Sequence, residues 1–242
     1  MRKTNLQAFY SFLFFLSVAA AMTGCAKTGM YSTTTATAVS YLTVMNLAPY
    51  GDSADIYLNG TKYPGAPYPV GVFSTSYFKV ASGNYDVQFK TPTSDSLLAS
   101  IPSSAFDSLG LYTLILYNDS TKGVVNAAKI KDNLSNVRPD SAYFRFFNMS
   151  PDMPAVDLYI DNAKVQANRT PADNILNSLY NNFQPFLNGY YTIEVKQAGT
   201  NNTVGTALNG SLLQGQIYTI FLEELHASSG NTFNLYVLQG AQ

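Results

Sequence analysis

Residues 46–58 read NLAPYGDSADIYL and residues 148–160 read NMSPDMPAVDLYI, so Asn46, Pro49, Asp55 and Tyr57 return as Asn148, Pro151, Asp157 and Tyr159 at a constant offset of 102. The repeat is longer than these two stretches. YLTVMN at 41–46 answers YFRFFN at 143–148, while GNYDVQFK at 83–90 answers GYYTIEVK at 189–196 and LYTLIL at 111–116 answers IYTIFL at 217–222, the last two at an offset of 106. The single change of offset confines a four-residue insertion to one loop of the second copy. Spacing this regular asks both halves to adopt one fold, since a one-residue slip would turn every side chain of a strand to the wrong face.

The matched segments read as strands. Tyr85, Val87 and Phe89 alternate with polar residues as Tyr191, Ile193 and Val195 do, the period of two expected of a half-buried strand. DIYLNG and DLYIDN each end a strand-like run in turn residues. One more strand is expected at the end of each half, at 124–130 and 233–238. With 18 Tyr, 15 Phe and only 12% charged residues, the composition suits short strands and polar turns. A half of about 100 residues with roughly seven strands and no long amphipathic helix predicts an all-β protein of two tandem immunoglobulin-like antiparallel β-sandwich domains, at 41–135 and 141–242, with a small barrel as the alternative. The polar stretch DNLSNVRPD at 132–140 reads as the linker.

Ahead of the repeat lies a targeting segment. Arg2 and Lys3 precede a 15-residue, mostly apolar run at 8–22, followed by Thr23-Gly24-Cys25. This resembles a bacterial lipobox, which implies a signal peptide at 1–24, lipidation of Cys25 and a flexible tether at 25–40. Cys25 is the only cysteine, so no intrachain disulfide can form. Cleavage leaves 12 basic against 15 acidic residues, a net charge of −3. That balance has no cationic footprint for nucleic acid. Several acyl chains on one residue anchor stably, so the expected partner is the membrane through its lipid anchor. The residues after Cys25 lack the acidic cluster associated with surface export, which favours the periplasmic face of the outer membrane over the cell surface.

The pattern Asn148-x-Ser150-Pro151-Asp152-x-Pro154-x-Val156-Asp157-x-Tyr159, followed by Gly189-x-Tyr191 and a late Tyr218-Thr219 strand, resembles the extracytoplasmic family known as domain of unknown function 4397, in two tandem copies. The first copy departs from it, with Ala48 and Tyr50 where the second has Ser and Asp. The resemblance implies an envelope lipoprotein and brings no catalytic residue with it.

The chemistry-bearing residues form no catalytic pattern. His226 is the only histidine and Glu194, Glu223 and Glu224 are the only glutamates. No metal-ligand spacing, phosphate loop or nucleophile elbow occurs, so the expectation is a non-enzyme without metal or cofactor. The duplicated Asn and Asp read as turn-making residues, with Asp and Tyr of the D-x-Y pair facing solvent or an edge. Residues 170–179 predict a short capped helix. Two loops rich in Tyr, Phe, Pro and Asn, at 62–78 and 179–191, offer ligand contacts in Tyr68, Phe73, Tyr77, Tyr180, Phe183 and Tyr190, for a glycan or another envelope protein. Structural plugging by Phe73, Phe78, Phe183 and Phe186 is the competing expectation. Five Asp-Ser steps resemble an O-glycosylation sequon, giving Ser53, Ser96, Ser108, Ser120 and Ser141 as acceptor candidates.

Overall fold

The structure is a computed structural model and describes residues 37–119, 123–227 and 230–240. The signal peptide, Cys25, the tether up to residue 36 and Ser120 lie outside the described residues. In the first copy the strands are β1 (Val39–Leu47), β2 (Asp55–Leu58), β3 (Thr61–Lys62), β4 (Phe78–Ala81), β5 (Gly83–Lys90), β6 (Leu97–Phe106), β7 (Leu111–Asn118) and β8 (Val125–Lys131). The second copy repeats them as β9 (Ala142–Met149), β10 (Val156–Ile160), β11 (Ala163–Arg169), β12 (Gln184–Phe186), β13 (Gly189–Gln197), β14 (Thr203–Leu212), β15 (Ile217–Ala227) and β16 (Gly230–Gln239). A single helical turn, α1 (Asp173–Leu176), and a 3₁₀ turn (Ser178–Asn181) precede β12.

Each copy is a sandwich of two four-stranded sheets, in the orders β4-β1-β7-β8 and β3-β2-β5-β6, then β12-β9-β15-β16 and β11-β10-β13-β14. The all-β expectation holds, with one refinement. β1 pairs with β7, and β9 with β15, in parallel; the rest of each sandwich forms the long crossover that parallel neighbours require. The hairpin turns are chemically specified. Asn59-Gly60 and Asp161-Asn162 both take positive φ at their two central positions, the backbone of a two-residue type I′ turn, which Asn, Asp and Gly adopt at least cost.

Inside the first sandwich the core includes Leu42, Val44, Ile56, Val87, Phe89, Phe106, Tyr112 and Leu114, and the second repeats it with Phe144, Phe146, Leu158, Ile193, Val195, Leu212, Tyr218 and Ile220. A third cluster joins them: Met45, Leu47, Ile115 and Ile130 of the first copy with Phe147, Met149 and Phe221 of the second. The β4-β1-β7-β8 and β12-β9-β15-β16 sheets are therefore covered on both faces. Every residue of β9 is buried, as expected of a strand in an inner layer. The described residues form one compact unit, a stack of four sheets with the two copies' equivalent faces in contact.

Candidate functional site

The seam between the copies is where chemistry-bearing side chains gather. Met45 and Phe147, Leu47 and Met149, and Ile115 and Phe221 are equivalent pairs in the repeat and lie in one cluster, so like surface meets like as in an isologous dimer. Two places break that likeness. Arg145 stands where the first copy has Thr43, an offset of 102. Asp132 stands where the second copy has Gly240, since Asp132 N donates to Leu111 O and Gly240 N to Ile217 O, both at 2.9 Å. These unequal residues meet. Arg145 Nη1 donates to Asp132 Oδ1 at 2.6 Å, Nε to Thr219 Oγ1 at 2.9 Å and Nη2 to Thr113 Oγ1 at 3.3 Å. The side chains are 3% and 0% exposed, where a charge needs both a counter-charge and hydrogen bonds. Thr113 and Tyr77 supply the rest, each donating to Asp132 Oδ2 at 2.6 Å.

The sequence candidates divide in the folded chain. Tyr77 and Phe183 converge here, from opposite copies: Tyr77 on Asp132, and Phe183 with its ring 4.5 Å from the Arg145 guanidinium carbon. Burial, and the nearby Asp132 charge, push the Tyr77 phenol well above its ordinary pKa. Phe73 plugs the seam edge-on against Phe221 and Tyr236, at 5.1 and 5.4 Å. Phe186 packs on Phe144 and Tyr191, and Phe78 on Tyr63. Tyr68 is half-buried against the first core and bridges to Ala54. Tyr180 covers the buried Arg169 at 3.9 Å. Tyr190 is the exception, 70% exposed. Of the acceptor candidates for O-glycosylation, Ser96 and Ser108 are exposed and Ser53 and Ser141 half-buried.

The duplicated motif is a clasp. Asn148 Oδ1 accepts from Ser150 N at 3.2 Å, two residues on, as the turn reading expects, while its Nδ2 donates to Arg169 O at 3.0 Å. Asn46 does the same in the first copy, donating to Asp52 O and Tyr68 O, each at 2.9 Å. The D-x-Y aspartates correct the solvent-facing expectation: Asp55 and Asp157 are 3% and 1% exposed. Lys62 and Lys164 fold over them at 2.6 Å, long stems covering the carboxylates while the ammonium ends stay wet. Burial raises the Asp157 pKa, but the Lys164 ammonium and the Asn168 and Gly199 backbone N–H groups outweigh it, and the net shift is downward. The inserted loop is fixed by Arg169, whose Nε and Nη2 grip Asp173 at 2.7 and 2.6 Å. The expected helix shrinks to one turn entered through left-handed Ala172, with no side-chain cap, because Asp173 is bound to Arg169 and accepts from Thr170 N at 3.1 Å.

At the other end of the seam Tyr50 and Asp152, equivalent in the repeat, touch: Tyr50 Oη donates to Asp152 Oδ2 at 2.5 Å. The first copy's departure from the repeat is thereby explained, since two aspartates at these positions would face each other. Asp152 also lies with Glu224 and His226, their donor atoms within 4.8 Å of one another. Sequence reading missed this convergence because β15 and the turn after β9 are far apart in the chain. Asn231 Nδ2 donates to Glu224 Oε1 at 2.6 Å and to Asp152 Oδ2 at 3.2 Å, Asp152 N donates to Glu224 Oε2 at 3.0 Å, and the His226 ring lies 4.0 Å from that of Tyr50. The donor types suit a divalent cation, but their oxygens already serve as acceptors in this joint. Glu223, on the opposite face of β15, is 0% exposed, and among the described residues neither carboxylate oxygen has a partner at full hydrogen-bond geometry, Tyr236 being the polar group beside it. Burial raises its pKa to about 7, against a smaller opposing effect of Tyr236.

Two stretches of the chain, 40–159 and 143–239, match the family described as Domain of unknown function (DUF4397). No curated protein matches the chain. Among the described residues no helix is long and apolar enough to cross a membrane.

Proposed function

From a chain that belongs to the DUF4397 family, through two tandem copies spanning most of its length, we propose a lipid-anchored, non-catalytic envelope module that holds two β-sandwiches in one fixed arrangement for contact with a partner. The observation that carries the reading is the seam. Arg145, Asp132, Thr113, Thr219 and Tyr77, which in another setting could bind or move protons, are spent on one another. A rigid body suits display: contacts made at loops on a rigid scaffold lose little conformational freedom on binding. The hydrophobic run at 8–22 and Thr23-Gly24-Cys25 support lipidation and the membrane as partner, the residues after Cys25, which carry no acidic cluster, support the periplasmic face of the outer membrane, and the slightly acidic charge balance speaks against nucleic acid. No cofactor enters this reading.

Growth with an alkyne fatty acid, followed by coupling to a fluorophore, should label the wild-type protein and leave Cys25→Ser dark; equal labelling of both would refute anchoring at Cys25. The alternative, a glycan-binding accessory lipoprotein, rests on Tyr190, whose exposed ring could stack on a sugar face. Saturable polysaccharide binding lost in Tyr190→Ala would favour it.

A further inference from the structure

The duplication supplies an internal control for one opening in the fold. At the side of each sandwich the edge strands of the two sheets face each other, β6 with β8 and β14 with β16. The registers Leu114↔Lys129 and Ile220↔Val237 make Val237 the counterpart of Lys129, and Gly83↔Phe106 and Gly189↔Leu212 make Leu212 the counterpart of Phe106. In the first copy the opening is filled. The Lys129 ammonium lies 4.5 Å from the Phe106 ring centre and 5.2 Å from that of Tyr112, and donates to Ala105 O at 2.7 Å. Lys131 and Asp107 close the outside at 2.7 Å.

Of this plug the second copy keeps only the tyrosine, Tyr218 in place of Tyr112. Phe106, Lys129, Lys131 and Asp107 are answered by Leu212, Val237, Gln239 and Leu213, and Ser104 by Gly210, opposite Tyr191 as Ser104 is opposite Tyr85. Gly210 lies between Leu208 and Leu212 on the core-facing side of β14, and a side chain there would meet nothing within 4 Å. The result is an open pocket of about 320 Å³ between β14 and β16, lined by Leu208, Leu212, Tyr218 and Val237 together with the polar Asn209, Ser211 and Gln239. This is within the range of small-molecule sites. No charged residue lines it.

One tyrosine of the lining keeps an unused donor. Tyr112 Oη accepts from Asp107 N at 2.9 Å and donates to Asp107 Oδ2 at 3.0 Å. Tyr218 Oη accepts from Leu213 N at 2.8 Å, but Leu213 has no carboxylate to take the phenol proton. Tyr218 is 3% exposed, and among the described residues nothing accepts its phenol proton; a buried donor without an acceptor is costly unless something supplies one.

We infer that the second sandwich carries a binding site for a small, uncharged, apolar molecule bearing one hydrogen-bond acceptor, such as a ketone, ester or alcohol on an alkyl or aromatic body, with Tyr218 Oη as the donor to that acceptor. The site stands independently of the anchoring proposed above. It is tested with the full chain carrying Cys25→Ser, free of detergent, using the neutral dye N-phenyl-1-naphthylamine as reporter and 2-decanone and decanoate as competitors. Dye fluorescence should rise to saturation at one site per chain. 2-Decanone should displace the dye at a concentration at least tenfold below that needed for decanoate. Gly210→Phe, which fills the cavity from open space, should abolish dye binding while leaving the circular dichroism melt in place. Tyr218→Phe should weaken 2-decanone about tenfold while the dye still binds. Unsaturable dye uptake, or saturable binding unchanged in Gly210→Phe, overturns the site; equal competition by decanoate overturns its neutral ligand class.

Discussion

Arg145 and Tyr50 mark positions where the two copies stopped being copies, and both sit where a symmetric residue would meet its own equivalent or leave a partner unmatched. Replacing Arg145 by Ala strands Asp132 with a buried charge and should lower unfolding free energy by about 3–5 kcal/mol in urea titration. Adding Asp132→Asn to that variant should recover part of the loss, because the damage lies in the orphaned carboxylate and not in the missing guanidinium alone. At the opposite end, Tyr50→Phe removes a donor from a charged acceptor and should cost about 1–2 kcal/mol. Tyr50→Asp, which restores the repeat, should cost more by setting one carboxylate against another. If Tyr50→Asp proved as stable as wild type, the explanation of that departure would be wrong.

Strand β15 carries its chemistry on two faces, with Glu224 in the hydrogen-bonded joint and Glu223 pointing into the seam. Glu223 is faced by Tyr236 across the β15–β16 pairing and by Gly71, where a built Cβ would come within 3.1 Å of Oε1. Its folded pKa of about 7 lies above the ordinary carboxyl value of 4.5. The unfolded chain therefore releases this proton first as pH rises. The stabilising contribution is full below about 4.5 and declines as pH climbs, with the loss complete once folded Glu223 ionises near 7. A loss on the order of 3 kcal/mol follows from a shift of that size. Thermal melts from pH 5 to pH 8 should show a falling midpoint in wild type and a flatter profile in Glu223→Gln. Asp157 acts in the opposite sense: its lowered pKa means stability lost as pH falls below the ordinary aspartate range.

At the scale of the molecule, four stacked sheets make the two sandwiches one body. A protease cut in the connection at 133–138, which leaves Asp132 and Arg145 on separate fragments, should give two pieces that elute together in size exclusion and part only in denaturant. Separate elution in buffer would mean that the seam contributes little. The repeat, strand positions, turn chemistry and all-β class were legible in the sequence because they rest on local periodicity: Tyr85, Val87 and Phe89 alternate, and Asn59-Gly60 can hold positive φ. A trace of the seam was there too, since LYTLIL and IYTIFL are apolar on both faces where an ordinary sandwich strand alternates. What covered the second face could not be read. Arg145 and Asp132 look like surface charges until β9 and the end of β8 are brought together, and the cavity beside Gly210 exists only as a difference between two packed edges. Sequence by itself determined the fold of each copy, because strands and turns follow from neighbours along the chain. Tertiary structure alone decided how the copies meet, which charges are buried and where space is left, because those depend on atoms that share a surface without sharing a segment.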